Sequence, residues 1–124
     1  MLHNYRINSR LYIAGEAVLR SRQNVIAGEL VDLSLSGVAL RLAPDFQINS
    51  GLRATWLCLL SSPDLPGELC FLLRIVRMQR RRSDCFIGCR IIDIDSENSR
   101  KLKAYRALAM ARGNPVYRQA EAAT

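Results

Sequence analysis

Val31-Asp32-Leu33-Ser34-Leu35-Ser36-Gly37-Val38-Ala39-Leu40 reads as a strand that turns at Ser36-Gly37 and continues as another strand. Val31, Leu33 and Leu35 alternate with Asp32 and Ser34. This period of two places the apolar side chains on one face and both polar ones on the other. Gly37 has no Cβ, so the backbone there can take a positive φ or let another group come close. A carboxylate, a hydroxyl and a bare stretch of backbone thus fall within one short span. Such a set suits a polar, planar ligand: Asp accepts from N–H groups, Ser donates or accepts, and Gly leaves room.

Upstream, residues 1–10 are polar and aperiodic and are expected to form an N-terminal arm, which carries Arg6-Ile7-Asn8-Ser9-Arg10. The chain then alternates through a first strand at Tyr12–Ser21, a polar turn at Ser21–Asn24 and a second strand at Val25–Leu35. Gly37–Leu42 is the third strand, followed by a loop at Pro44–Gly51 rich in turn formers. Leu52–Leu60, with Trp56, is the fourth strand, and Ser61–Gly67 is a turn. Glu68–Met78 is the fifth, with Leu69, Phe71, Leu73 and Ile75 on one face. Arg80–Asp84 is a charged turn, and Cys85–Ile94 is the sixth strand.

The period then changes. Asp95 or Ser96 can cap a helix whose apolar stripe is Leu102, Tyr105, Leu108 and Ala109, with Gly113-Asn114-Pro115 as its stop. Residues 113–124 are expected to be a flexible tail, so the chain reads as one domain over 11–112. Six short strands and one amphipathic helix predict a small antiparallel barrel or strongly curved sheet. Closure removes open edges, and the helix covers an apolar opening. Trp56 is expected in the core.

The formal net charge is +7, and sixteen of the eighteen basic residues are Arg. Arg presents a planar fork that matches phosphate oxygens and the O6/N7 edge of guanine, so the balance suits an anionic partner. No apolar run is long enough to span a bilayer, and the N-terminus lacks the apolar segment of a secretory signal. A cytoplasmic location is therefore expected, with Cys58, Cys70, Cys85 and Cys89 as reduced, structural thiols. Cys85 and Cys89 lie on one strand, roughly 13 Å apart at about 3.3 Å per residue. They cannot share a zinc ion, and His3 is the only histidine, so no metal site is expected.

RxxxR at Arg6–Arg10, DxSxxG at Asp32–Gly37 and Phe86–Asp95 ahead of a helix together resemble the PilZ family, bacterial domains that bind cyclic di-GMP. RxxxR recurs at Arg77 and Arg81 and is weak alone, whereas DxSxxG occurs once and falls at a strand-to-strand turn. The resemblance runs from about Asn4 to about Leu108. It implies a mainly β fold, a six-stranded antiparallel β-barrel with a C-terminal α-helix. It also implies roles. Arg6 and Arg10 would grip phosphates and guanine edges, and Asp32 would face guanine N–H groups. Ser34 would bond near guanine and phosphate, and Gly37 would make the close turn. Tyr5, Ser36 and Arg90 are further candidate contacts.

The ligand's two phosphodiesters and two guanines call for fixed cations and at least one acceptor, which this set supplies. Two departures stand out: Tyr5 occupies a position where many members carry a further Arg, and Ser36 one where Gly is frequent. The resemblance implies a stand-alone receptor without a cofactor. A ligand-induced conformational change would pass the signal to an unidentified protein effector. Two other readings compete. A small basic barrel could bind nucleic acid, but aromatics are only 6% and no strand offers a base-stacking platform. A PilZ-like adaptor could bind protein alone, against which Arg6, Arg10, Asp32 and Ser34 all stand intact. No nucleophile–base pair or Gly-rich phosphate loop suggests an enzyme.

Overall fold

A computed structural model describes residues 14–46, 54–63, 65 and 67–111, the last four for their backbone alone. Six strands precede one helix: β1 (Glu16–Arg20), β2 (Val25–Leu33), β3 (Gly37–Leu42), β4 (Thr55–Ser61), β5 (Leu69–Arg80), β6 (Cys85–Asp93) and α1 (Ser96–Ala111). The strands pair antiparallel in the order β1-β2-β3-β6-β5-β4, and β1 zips to β4, from Glu16 opposite Ser61 to Arg20 opposite Leu57, closing a barrel. The expected six-stranded antiparallel barrel with a C-terminal helix is therefore the observed one.

Alternation fills the interior. Ala17 and Leu19, Val38, Leu40 and Leu42, Trp56, Cys58 and Leu60, Leu69, Phe71, Leu73 and Ile75, and Cys85, Ile87 and Cys89 all point inward and are buried. Burying each large side chain contributes about 1.5–3 kcal/mol relative to leaving it in water. Trp56 lies in the core as expected, wholly buried. All four cysteines are free thiols, and burial pushes those of Cys58 and Cys89 up to about 12, so neither is a thiolate at neutral pH.

Simple alternation fails at three places. β2 carries one extra residue between Leu30 and Asp32, β5 carries one between Ile75 and Arg77, and β6 carries one, Ile92, between Ile91 and Asp93. Each bulge resets which residues face inward. Hence Leu30 and Leu33 are both buried, while Val31 is half-buried and not part of the core cluster. On β5, Val76 is 58% exposed although apolar. The second strand also ends at Leu33 instead of running to Leu35, because Ser34 leaves the ladder to make a turn. The first strand begins only at Glu16 and the fourth at Thr55, since Ala14, Gly15 and Ala54 are not in strand; the fifth runs to Arg80, past the expected Met78, and the sixth ends at Asp93 instead of Ile94. Tyr12 and Leu52 themselves lie outside the described residues, as do the arm, most of the Pro44–Gly51 loop and the tail.

Helix α1 packs on β5 and contributes Leu102 and Tyr105 to the core. Of the two cap candidates, Asp95 is used: its Oδ1 accepts from Asn98 N at 2.7 Å, and these bonds hold its carboxyl below the usual carboxylate range. Asn98 joins helix to barrel. Its Oδ1 accepts from Cys70 N at 2.8 Å and its Nδ2 donates to both Asp95 oxygens at 3.0 Å. The β5–β6 ladder ends at Leu72 opposite Asp93, so beyond it Asn98 takes the place of a strand partner. Tyr105 Oη donates to Gly67 O at 2.9 Å. Asn98→Leu should lower stability by about 1–3 kcal/mol, because it orphans the Cys70 amide. Urea unfolding would read this, and a wild-type midpoint would mean that water serves the amide as well. The predicted positions Leu108 and Ala109 fall within α1, and the predicted stop at Gly113-Asn114-Pro115 lies outside the described residues. No described helix is long and apolar enough to cross a membrane.

Candidate ligand site on the barrel wall

The DxSxxG stretch forms the β2–β3 connection, and its serine organises it. Ser34 N donates to Gly37 O at 2.9 Å. Ser34 Oγ accepts from Gly37 N at 3.1 Å and from Ser36 N at 3.3 Å, donates to Gly37 O at 3.3 Å, and lies 3.3 Å from Ser36 Oγ. A hydroxyl has one hydrogen and two lone pairs, and here all three are used inside the turn. The side chain is buried accordingly. Ser34 therefore does not stand beside Asp32 on one strand face, as simple alternation predicts; it turns inward and fixes the loop. Ser36 is exposed, and its carbonyl accepts from Ile91 N at 2.9 Å, which ties the turn to β6.

Gly37 is needed for close approach. A Cβ there would lie 2.3 Å from the Cys89 carbonyl oxygen, a distance no side-chain carbon tolerates. Its strand partner is Arg90, whose side chain is exposed on the outer wall. The β2 bulge places Asp32 opposite Ala39, outward and partly exposed. So Asp32, Ser34, Ser36, Gly37 and Arg90 lie together on the β2–β3–β6 wall. Arg6, Arg10 and Tyr5 lie outside the described residues. Sequence pattern alone does not single out Arg74, opposite Arg90 on β5, or Arg77, opposite Gly88. Register between distant strands decides that placement, and the one local hint is a glycine in the middle of a strand.

Two other polar features lie elsewhere. At the β5–β6 turn, Arg81 forks onto Asp84 (2.6 and 2.9 Å), and Arg41 reaches Asp84 at 3.2 Å and Glu29 at 3.3 Å. The Arg81 bonds, first, hold the Asp84 carboxyl below its usual range. Arg81 also lies 5.6 Å from the Phe86 ring centre. This arginine is a turn brace. An open groove between β4, β1 and β2 is lined by Glu16, Glu29, Arg41 and Ser61. Glu16 and Glu29 are strand partners, and two facing carboxylates suit an anionic ligand poorly.

The turn yields a test. Ser34→Ala should cost about 1–3 kcal/mol, since it strands the buried Gly37 amide. Ser36→Ala, at the exposed position, should stay within about 0.5 kcal/mol of wild type. Equal unfolding midpoints for the two variants would show that Ser34 does not hold the turn.

Comparison with known proteins follows the same lines. The PilZ domain model matches residues 4–107. No curated protein matches the chain. Among solved structures, the inhibitor of motility MotI/DgrA from Bacillus subtilis aligns with a TM-score of 0.69 at 13% identity, covering 84% of this chain and 50% of that one. The PilZ domain of YcgR from Escherichia coli, solved with c-di-GMP, aligns with a TM-score of 0.68 at 13% identity, covering 91% and 92%. YcgR from Escherichia coli in complex with c-di-GMP gives 0.65 at 16% identity, covering 94% and 50%. The chain thus spans about half the length of MotI/DgrA and of the longer YcgR chain, and nearly all of the YcgR PilZ domain. With the family model covering most of the sequence and the barrel, its helix and the DxSxxG turn all in place, this chain belongs to the PilZ domain family.

Proposed function

We propose that the protein is a cyclic di-GMP receptor, a binding module and not an enzyme, that responds to the ligand with a conformational change and passes the signal to a protein effector. The observation that carries this reading is the DxSxxG turn, pinned by the Ser34 bonds, with Asp32 partly exposed and Arg90 exposed on the outer wall beside it. In this reading Asp32 accepts from guanine N–H groups, and Arg6 and Arg10 supply forked donors to phosphate and guanine edges. Gly37 lets β3 close on β6 beneath the ligand. Ser34 serves by holding the turn, which leaves the exposed Ser36 as the hydroxyl that faces a ligand. Tyr5 and Arg90 complete the set. The YcgR domains solved with c-di-GMP support the choice of ligand.

Calorimetric titration with cyclic di-GMP, GTP, GMP and single-stranded RNA tests the proposal. Saturable, selective binding of cyclic di-GMP is the expected result. Preference for RNA would favour a nucleic-acid-binding barrel, and no binding would favour an adaptor that recognises protein alone. The conformational step is read by amide exchange, which should slow at residues 4–10 when cyclic di-GMP is added.

A further inference from the structure

The outer surface of β1, β2 and β4 is apolar where water is expected. Ala17 and Leu19 point inward from β1, so Glu16, Val18 and Arg20 point outward. Residues directly opposite each other on paired strands share a face. Val18 stands opposite Ala27 on β2 and Leu59 on β4. Arg20 stands opposite Val25 and Leu57, and Leu57 opposite Leu72 on β5. Val25 is 64% exposed, Ala27 is exposed, and Val18, Leu57, Leu59 and Leu72 are half-buried. None of these apolar residues belongs to the core or packs against it. Helix α1 packs on β5 and turns Leu102 and Tyr105 to the interior cluster instead. A sheet with one solvated face alternates apolar-in with polar-out, and a contiguous apolar patch on the outside marks an interaction surface.

The two ends of this patch carry opposite charges. Glu16, facing Glu29, closes one end, and Arg20 closes the other. They lie about 13 Å apart along β1, at about 3.3 Å per residue, and do not meet each other. Glu29 has Arg41 at 3.3 Å, whereas Glu16 and Arg20 make no ion pair among the described residues. Facing carboxylates on paired strands repel. Here they border the open groove that Ser61, Ser62 and Pro63 also line, so there is room for a further cation beside Glu16.

A second copy of this face supplies that cation. A two-fold axis in the plane of the sheet and perpendicular to β1 sets the strands of two copies antiparallel. Val18 then meets the partner's Val18, and Arg20 comes over the partner's Glu16 and its groove. Symmetry makes the same contact twice. With the strands parallel, Glu16 would meet the partner's Glu16 and Arg20 the partner's Arg20, so the charges select one orientation. Packed sheets lie about 10 Å apart, a gap that Arg and Glu side chains span together. An arginine seated in a groove also lets two convex barrel walls interlock.

We propose that the protein forms a two-fold symmetric dimer through the outer face of β1, β2 and β4, with Arg20 of each protomer seated beside Glu16 and Glu29 of the other. The face is smaller than the roughly 800 Å² per partner of a standard stable interface, so the dimer is a reversible one. Sedimentation equilibrium over a hundredfold range of concentration tests it. Wild type should show a monomer–dimer equilibrium. Glu16→Arg and Arg20→Glu should each weaken it by about tenfold to a hundredfold, because each brings like charges together twice. Both positions are exposed, so both variants should keep the wild-type circular dichroism and melting temperature. An equimolar mixture of the two variants should dimerise again, since arginines at both positions of one chain then meet glutamates at both positions of the other. The double variant Glu16→Arg/Arg20→Glu should dimerise on its own, as wild type does. A wild type that stays monomeric overturns the proposal and leaves the face to a partner of another kind or to the chain's own remaining residues. It is overturned equally if the single variants dimerise as well as wild type, or if neither the mixture nor the double variant restores the dimer.

Discussion

Gly37→Val should unfold the barrel, or leave it several kilocalories less stable. The first atom of the new side chain would lie 2.3 Å from the Cys89 carbonyl oxygen, and that oxygen belongs to the backbone of the paired strand. A flexible side chain can swing aside, but a ladder carbonyl can move only if β3 and β6 separate. Six consecutive pairs join these strands, from Gly37 opposite Arg90 to Leu42 opposite Cys85. Val38, Leu40, Ile87 and Cys89 of that interface all lie in the core. Overpacking a tight site costs about 1–3 kcal/mol and sometimes more, against a total stability of about 5–15 kcal/mol for a typical domain. Even Gly37→Ala should lower the melting temperature by roughly 4–8 °C for each kcal/mol lost. Thermal unfolding of the Ala and Val variants checks this. A Gly37→Ala protein that melts with wild type would show that the strands part easily, and Gly37 would then have to be explained by the ligand alone.

Much of the fold is legible in the sequence because one rule, alternation with a period of two, covers most of the barrel. Leu69, Phe71, Leu73 and Ile75 read as one face and are one face. The turns at Ser21–Asn24 and at the start of β6 fall where polar clusters interrupt the pattern, and Asp95 caps the helix as a residue with a short carboxylate should. Gly37–Leu42 has its predicted bounds. The misreadings cluster where one residue is added. A bulge changes no composition and leaves the strand looking continuous, yet it reverses every side chain beyond it. Val31 therefore reads as sharing the face of Leu33 and does not; Ser34 reads as a wall residue beside Asp32 for a different reason, because the strand ends at Leu33 and its hydroxyl pins the turn.

The placement of the candidate residues is legible only where they are close in sequence. Asp32 and Gly37 emerge as a motif because they are close in sequence and chemically distinctive. The position of Arg77 cannot be read locally, because three strand pairings separate it from Asp32 and the register of β5 against β6 depends on a bulge. Gly88 is the faint signal. A glycine in mid-strand weakens a strand, so it marks a place where something lies close, and here that is the Arg77 guanidinium. Arg80, Arg81 and Arg82 show the opposite error that charge-counting invites. They are the densest cationic run in the chain, yet Arg81 is already forked onto Asp84 and Arg80 leans on the Pro44 carbonyl at 3.4 Å.

Arg10→Lys should weaken cyclic di-GMP binding nearly as much as Arg10→Ala, by about tenfold to a hundredfold. A lysine keeps the charge, so a purely electrostatic site would hardly notice the change. The proposed role of Arg10 is geometric as well: a planar fork makes two parallel bonds to a phosphate or to a guanine edge, and an ammonium cannot reproduce them. Losing a charged hydrogen-bond set costs about 1.5–3 kcal/mol, which is the quoted range in affinity. Arg80, Arg81 and Arg82 changed together to Ser provide the contrast. That variant removes three charges where Arg10→Lys removes none, yet it should bind almost as wild type does, because these side chains lie at the last residue of β5 and in the β5–β6 turn, where Arg81 is already tied to Asp84. Calorimetry at two salt concentrations separates the accounts. Under the fork account, Arg10→Lys is weak at both concentrations and the triple variant is near wild type at both. If Arg10→Lys instead kept wild-type affinity while the triple variant lost it, and the loss grew as salt was lowered, general charge would be the recognising feature. The DxSxxG wall would then no longer be where the ligand is read.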